Sequence, residues 1–125
     1  MRLNQITIPS LNVEKSVRFY NTLGLQLIVD AMPRYVRFEC PDGNSTFSIH
    51  NVETLPIGNA IRIYFEHENL DELVSQLKEK GIIFTSDPED MSWLWREARL
   101  TDPDGNNLVL YYAGDNRKNP PWRIP

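Results

Sequence analysis

The chain has 125 residues, 41% hydrophobic and 24% charged, a composition suited to one folded domain and not to a disordered segment. Its 13 basic and 17 acidic side chains give a formal charge of −4, which disfavours a nucleic-acid partner and mildly favours neutral or cationic ligands. Apolar runs span only a few residues and Met1-Arg2-Leu3-Asn4-Gln5 lacks a hydrophobic leader, so a membrane partner and a signal peptide are both disfavoured and the expected location is the cytoplasm.

Taken in order, residues 3–8 alternate as a strand, with Ile6 and Ile8 on one face and Gln5 and Thr7 on the other. Asn12 is placed to cap a helix whose stripe is Val13, Val17 and Tyr20, and Gly24 is placed to stop it. Strands are expected near residues 26–30 and 34–40, with Pro33 between them, and the single Cys40 reads as a buried, inert thiol. Pro41-Asp42-Gly43-Asn44 is a turn that delivers a fourth strand at 46–51. The order is β-α-β-β-β.

It then repeats. After a linker at 53–58, residues 59–66 form a strand, Asn69 and Glu72 offer a variant capping box, and Leu70, Leu73, Val74 and Leu77 make the next helical stripe before Gly81. Strands follow at 82–85 and 92–100, with 86–90 (Ser86-Asp87-Pro88-Glu89-Asp90) as an acidic loop or lid between them. Asp102-Pro103-Asp104-Gly105-Asn106 twins the first turn and feeds a strand at 107–112. The tail, 114–125, is polar and proline-rich, and Trp122 is the side chain expected to anchor it. This gives an α+β fold of two βαβββ modules, about 1–52 and 59–113, in one domain spanning 1–125.

The frame, together with Ser16-Val17-Arg18-Phe19-Tyr20-Asn21-Thr22-Leu23-Gly24-Leu25, Trp93-Leu94-Trp95-Arg96-Glu97 and the Asp-Pro-Asp-Gly-Asn turn, resembles the vicinal oxygen chelate (VOC) superfamily of glyoxalase I, bleomycin-resistance proteins and extradiol dioxygenases. The resemblance implies a curled mixed sheet around a cleft, helices outside, in a chain that forms a homodimer. If the Ile, Phe and Leu faces meet the helices, the opposite faces line that cleft, and they carry Gln5, Ser48, His50, Arg62, Tyr64, Glu66, Val109 and Tyr111. Trp93 and Trp95, on one face of the expected 92–100 strand with Glu97 and Arg99 continuing it, read as an aromatic wall or as an interface with a partner. Arg62 and Glu66 sit on one strand face four residues apart and read as an internal ion pair, with Arg62 as the alternative clamp for a ligand carboxylate.

Enzymes of this superfamily hold a divalent metal with His, Gln and Glu side chains from four strands. Carried onto this chain, those positions are Gln5, Ser48, Arg62 and Val109, of which only Gln5 is a credible ligand. The expectation is therefore no metal and no cofactor. The chain would be a binding protein of the bleomycin-resistance type that sequesters a small organic ligand, an antibiotic or a metabolite. The alternatives are a metal-dependent glyoxalase-like lyase or dioxygenase with displaced ligands from Gln5, His50 and Glu66, and metal-free acid–base catalysis by Glu66 and His50.

Overall fold

The computed structural model describes residues 1–58 and 60–125. The first compact unit comprises residues 1–58 together with 102–105, and the second comprises 59–101 and 106–125.

In the first unit β1 (Gln5–Ser10) leads to α1 (Val13–Leu23), then β2 (Gln26–Ala31), β3 (Tyr35–Glu39) and β4 (Thr46–Asn51). The four strands are ordered β1-β4-β3-β2, with β1 parallel to β4 and the other neighbours antiparallel. The helix starts where expected: Asn12 Oδ1 accepts from the Lys15 amide at 3.0 Å, removing one of the unsatisfied first-turn donors. It ends at Gly24, whose φ of 108° is open to glycine without a Cβ penalty. Ile8, Val36, Phe38, Phe47 and Ile49 are buried on one sheet face, and α1 adds Val13, Val17 and Tyr20. The Tyr20 ring lies 4.7 Å from Phe47 and 6.1 Å from Phe38, centroid to centroid. Each such ring removed from water contributes about 2–3 kcal/mol.

The Asp-Pro-Asp-Gly turn is built into this unit by three hydrogen bonds and braced within itself by a fourth. Asp102 accepts from the buried Tyr20 hydroxyl at 2.6 Å and from the Asp104 amide at 2.9 Å. Asp104 accepts from the Leu11 amide at 2.9 Å and the Ser16 hydroxyl at 3.0 Å. Burial, then the nearby Asp102 carboxylate, pushes the Tyr20 phenol far above its ordinary range, so this hydroxyl is a permanent donor.

The second unit repeats the plan with β5 (Arg62–Glu66), α2 (Leu70–Glu79), β6 (Ser86–Asp90), β7 (Arg96–Thr101) and β8 (Asn107–Tyr112), ordered β5-β8-β7-β6. Leu70, Val74 and Leu77 of α2 are buried, as are Ile63, Ala98, Leu100, Leu108 and Leu110 of the sheet. The protein thus carries the α+β plan of two βαβββ repeats, each with its own four-stranded mixed sheet.

Five local expectations are corrected. The Asn69 side chain makes no cap bond; with ψ at 64° the residue is turned away, and its amide instead donates to His67 Nδ1 at 3.0 Å. Residues 82–85 are not a strand and Ile83 is exposed, whereas the acidic segment expected as a loop is strand β6. As the edge of its sheet, β6 bonds on one side only, and the register shifts between Ser86 and Glu89. An edge with a bulge tolerates Pro88 and the flanking charges, which would disqualify a central strand. The strand expected over 92–100 begins only at Arg96, because Leu94, at φ 68°, closes a turn by donating its amide to the Met91 carbonyl at 3.0 Å. The strand expected from residue 59 begins at Arg62, and Asn59 lies outside the described residues.

Candidate functional site

The helix-free faces of the two sheets carry the candidate side chains, and each unit holds its own set. In the first unit Gln5 is exposed at the start of β1, and its amide oxygen accepts from the Thr46 hydroxyl at 2.8 Å. Ser48, in the middle of the sheet between Thr7 and Arg37, is fully buried and shares a 2.5 Å hydrogen bond with the Thr7 hydroxyl. His50 is exposed at the end of β4, opposite Tyr35.

Tyr35 and Arg37, the other side chains on that face, act together: Arg37 Nε donates to the Tyr35 hydroxyl at 2.9 Å, with the guanidinium 5.6 Å from the ring centroid. Hydrogen bonding to Ser48, then to Arg37, holds the Tyr35 phenol below its ordinary value. Ultraviolet titration is therefore expected to show one tyrosine ionising ahead of the others, and Tyr35→Phe to delete that step. Tyr20 and Tyr111 move the opposite way, both held up chiefly by burial.

The second unit concentrates the rest. On β5, Arg62, Tyr64 and Glu66 share one face. Across the ladder Asn107 lies between Arg62 and Thr101, Val109 between Tyr64 and Arg99, and Tyr111 between Glu66 and Glu97. Trp95, just ahead of β7, stacks on Tyr111 with centroids 4.7 Å apart, and Tyr64 meets both rings edge-on at 5.9 and 5.5 Å. Such edge and stacked pairs are each worth about 0.5–1.5 kcal/mol beyond their area. Tyr64 keeps 41% of its surface exposed, and Trp95 is half-buried, which leaves aromatic surface for a ligand.

Trp93 lies ahead of β7, on the Leu94 turn, and its indole N–H donates to Glu97 at 2.7 Å, which keeps the ring beside the face carrying Glu97. One expected relationship does not form. Glu66 does not pair with Arg62. Its carboxylate accepts from the Ala113 and Gly114 amides at 2.8 and 3.0 Å, with Arg117 at 3.8 Å, where the tail turns back in a short 3₁₀ helix, Gly114–Arg117. The tail is tied further by Trp95, whose indole N–H donates to the Asn116 carbonyl at 3.2 Å, while Trp122, the expected anchor, is 58% exposed.

The residue missed as a site member is Glu97. Its side chain is 1% exposed and pairs with Arg99 at 3.1 Å as well as Trp93. The signal was present in the sequence, a carboxylate at an inward position between Trp95 and Arg99. Beside this pair, Arg62, Thr85, Arg99, Asn107 and Val109 help to line a cavity of about 160 Å³.

The four positions that hold the metal in enzymes of the resembling superfamily do not suit one here. Val109 is buried and has no donor atom, Arg62 is a fixed cation, the Ser48 hydroxyl is buried against Thr7, and the Gln5 oxygen is already engaged. Among the described residues no three His, Cys, Asp or Glu side chains are grouped to hold a metal ion, and no helix is long and apolar enough to cross a membrane.

Comparison with known proteins agrees with this architecture. A structure described as a glyoxalase/bleomycin resistance protein/dioxygenase from Nocardioides superposes with a TM-score of 0.78 at 23% identity, covering 100% of this chain and 90% of that one. A superfamily member from Sphaerobacter thermophilus DSM 20745 gives 0.74 at 29% identity, covering 90% and 97%. A bleomycin-binding protein complexed with bleomycin gives 0.73 at 22% identity, covering 90% and 98%. No curated protein matches the chain significantly. The sequence model of the Glyoxalase/Bleomycin resistance protein/Dioxygenase superfamily matches residues 2–110, and the chain belongs to that superfamily.

Proposed function

We propose that this protein sequesters a small organic molecule against the aromatic face of its second unit, without a metal. The observation that carries the reading is the Tyr64–Trp95–Tyr111 cluster, a preformed apolar platform with polar groups at its borders. A bleomycin-binding relative of the same fold supports binding as a use of this scaffold. The donor set argues in the same direction, because an arginine and a valine stand where enzymes of the superfamily place ligands. In this reading the protein works by affinity alone, as a homodimer in the cytoplasm.

Trp95→Ala removes the ring that stacks on Tyr111 and is expected to weaken an aromatic ligand about tenfold or more, a loss of at least about 1.4 kcal/mol. Isothermal titration measures it. Elemental analysis of protein offered Ni²⁺, Zn²⁺, Mn²⁺ and Fe²⁺ is expected to find background metal only. One tightly held ion per chain would overturn the metal-free reading in favour of a lyase or dioxygenase, and loss of that ion in Gln5→Ala and His50→Ala would locate it. Light scattering checks the dimer.

A further inference from the structure

We infer that the ligand is an aromatic carboxylate, its anion held in the forked guanidinium of Arg62 at the cavity shared with Arg99 and its ring laid against Tyr64. The inference rests on the binding function proposed above and specifies its ligand class.

The starting point is charge balance. Glu66 stands four residues from Arg62, about 13 Å along β5 and too far to neutralise it, and is itself committed to two tail amides and Arg117. Among the described residues no carboxylate lies within ion-pair distance of Arg62. Its neighbour in the cavity, Arg99, is paired with Glu97 through one nitrogen. Two guanidinium groups therefore face one carboxylate, which leaves one uncompensated positive charge at the site, opposite in sign to the chain as a whole.

Geometry selects the anion. The cavity of about 160 Å³ has room for several waters or for one small oxyanion. A guanidinium presents parallel N–H donors that match the two oxygens of a carboxylate, a planar fit that an ammonium cannot make. Arg62 and Tyr64 project from the same strand face two residues apart, about 6.6 Å along β5. A ligand whose carboxylate sits on a fused or substituted ring spans that distance and meets the edge of the aromatic cluster. Cationic ligands, favoured by net charge alone, meet repulsion here.

The test compares 2-naphthoate with its neutral isostere 2-naphthamide by isothermal titration of the full chain. Naphthoate is expected to bind at least about tenfold more tightly in about 0.05 M NaCl, with the gap narrowing in about 0.5 M NaCl as the exposed charge is screened. Arg62→Gln is expected to erase the gap by weakening naphthoate to the level of naphthamide, and Arg62→Lys to restore only part of it. Arg62 is exposed and without a partner among the described residues, so these variants are expected to unfold at the same denaturant concentration as the parent, which circular dichroism verifies. Equal binding of acid and amide, or an undiminished gap in Arg62→Gln, overturns the carboxylate assignment but leaves the aromatic platform standing. Failure of both compounds to bind at millimolar concentration removes the platform as well.

Discussion

Asp102→Ala is expected to destabilise the protein by about 3 kcal/mol, measured by chemical denaturation. The substitution strands a buried Tyr20 hydroxyl that donates at 2.6 Å and also deletes the acceptor of the Asp104 amide. A buried donor left without its partner costs about 1–3 kcal/mol, and a bond to a charged acceptor sits toward the upper part of that range. Tyr20→Phe keeps the ring packed between Phe38 and Phe47 and removes only the hydroxyl, so it should cost about 2 kcal/mol. If the two substitutions share one interaction, the double variant will be less destabilised than the sum of the singles. Strict additivity would mean that the hydrogen bond contributes nothing and that each change acts elsewhere.

Glu97→Ala is expected to cost about 2–3 kcal/mol. Removing one partner of a wholly buried pair costs about 3–5 kcal/mol, but Arg99 is 35% exposed and water recovers part of its charge. The remainder comes from the Trp93 indole, which loses its 2.7 Å acceptor, and from the void left under the sheet. Glu97→Gln retains the shape and an acceptor for Trp93, so about 1 kcal/mol is expected. The glutamine variant has a second use. It releases Arg99, and 2-naphthoate should then bind more tightly even though the protein is less stable. Opposite changes in stability and affinity within one variant distinguish a charge effect from general damage.

Much of this architecture is written locally. The helices follow from apolar residues at helical spacing and from residues that end them, and Asn12 and Gly24 behave as their chemistry dictates. The side chains of β5 and β8 could be assigned to faces because a strand alternates, which put Arg62, Tyr64, Val109 and Tyr111 where they are found. What stayed hidden depends on non-local facts. Strand β6 reads as a loop because proline and acidic residues are admissible only at an edge, and edge status belongs to the sheet. The strand stops short of Trp93 because Leu94 adopts a positive φ that no residue type announced. Glu66 engages the tail because 114–117 folds back, and strand alternation carries no information about a segment beyond the sheet. Arg62, without a partner among the described residues, is the most informative feature of the site.

The turn at 102–105 also bears on how a duplicated chain keeps track of its halves. The two repeats share their order of elements, yet the residue ahead of the turn proline is Asp102 in one and Cys40 in the other, and the helix position of Tyr20 is matched by Leu77. A second copy of the first repeat would offer the Tyr20 hydroxyl a thiol in place of a carboxylate, a weak acceptor. Mismatched assemblies would then bury a poorly satisfied donor, and the penalty of about 1–3 kcal/mol counts against them alone. One tyrosine and one aspartate thus act as a mark of identity, and recombining halves between relatives of this fold should succeed only where both travel together.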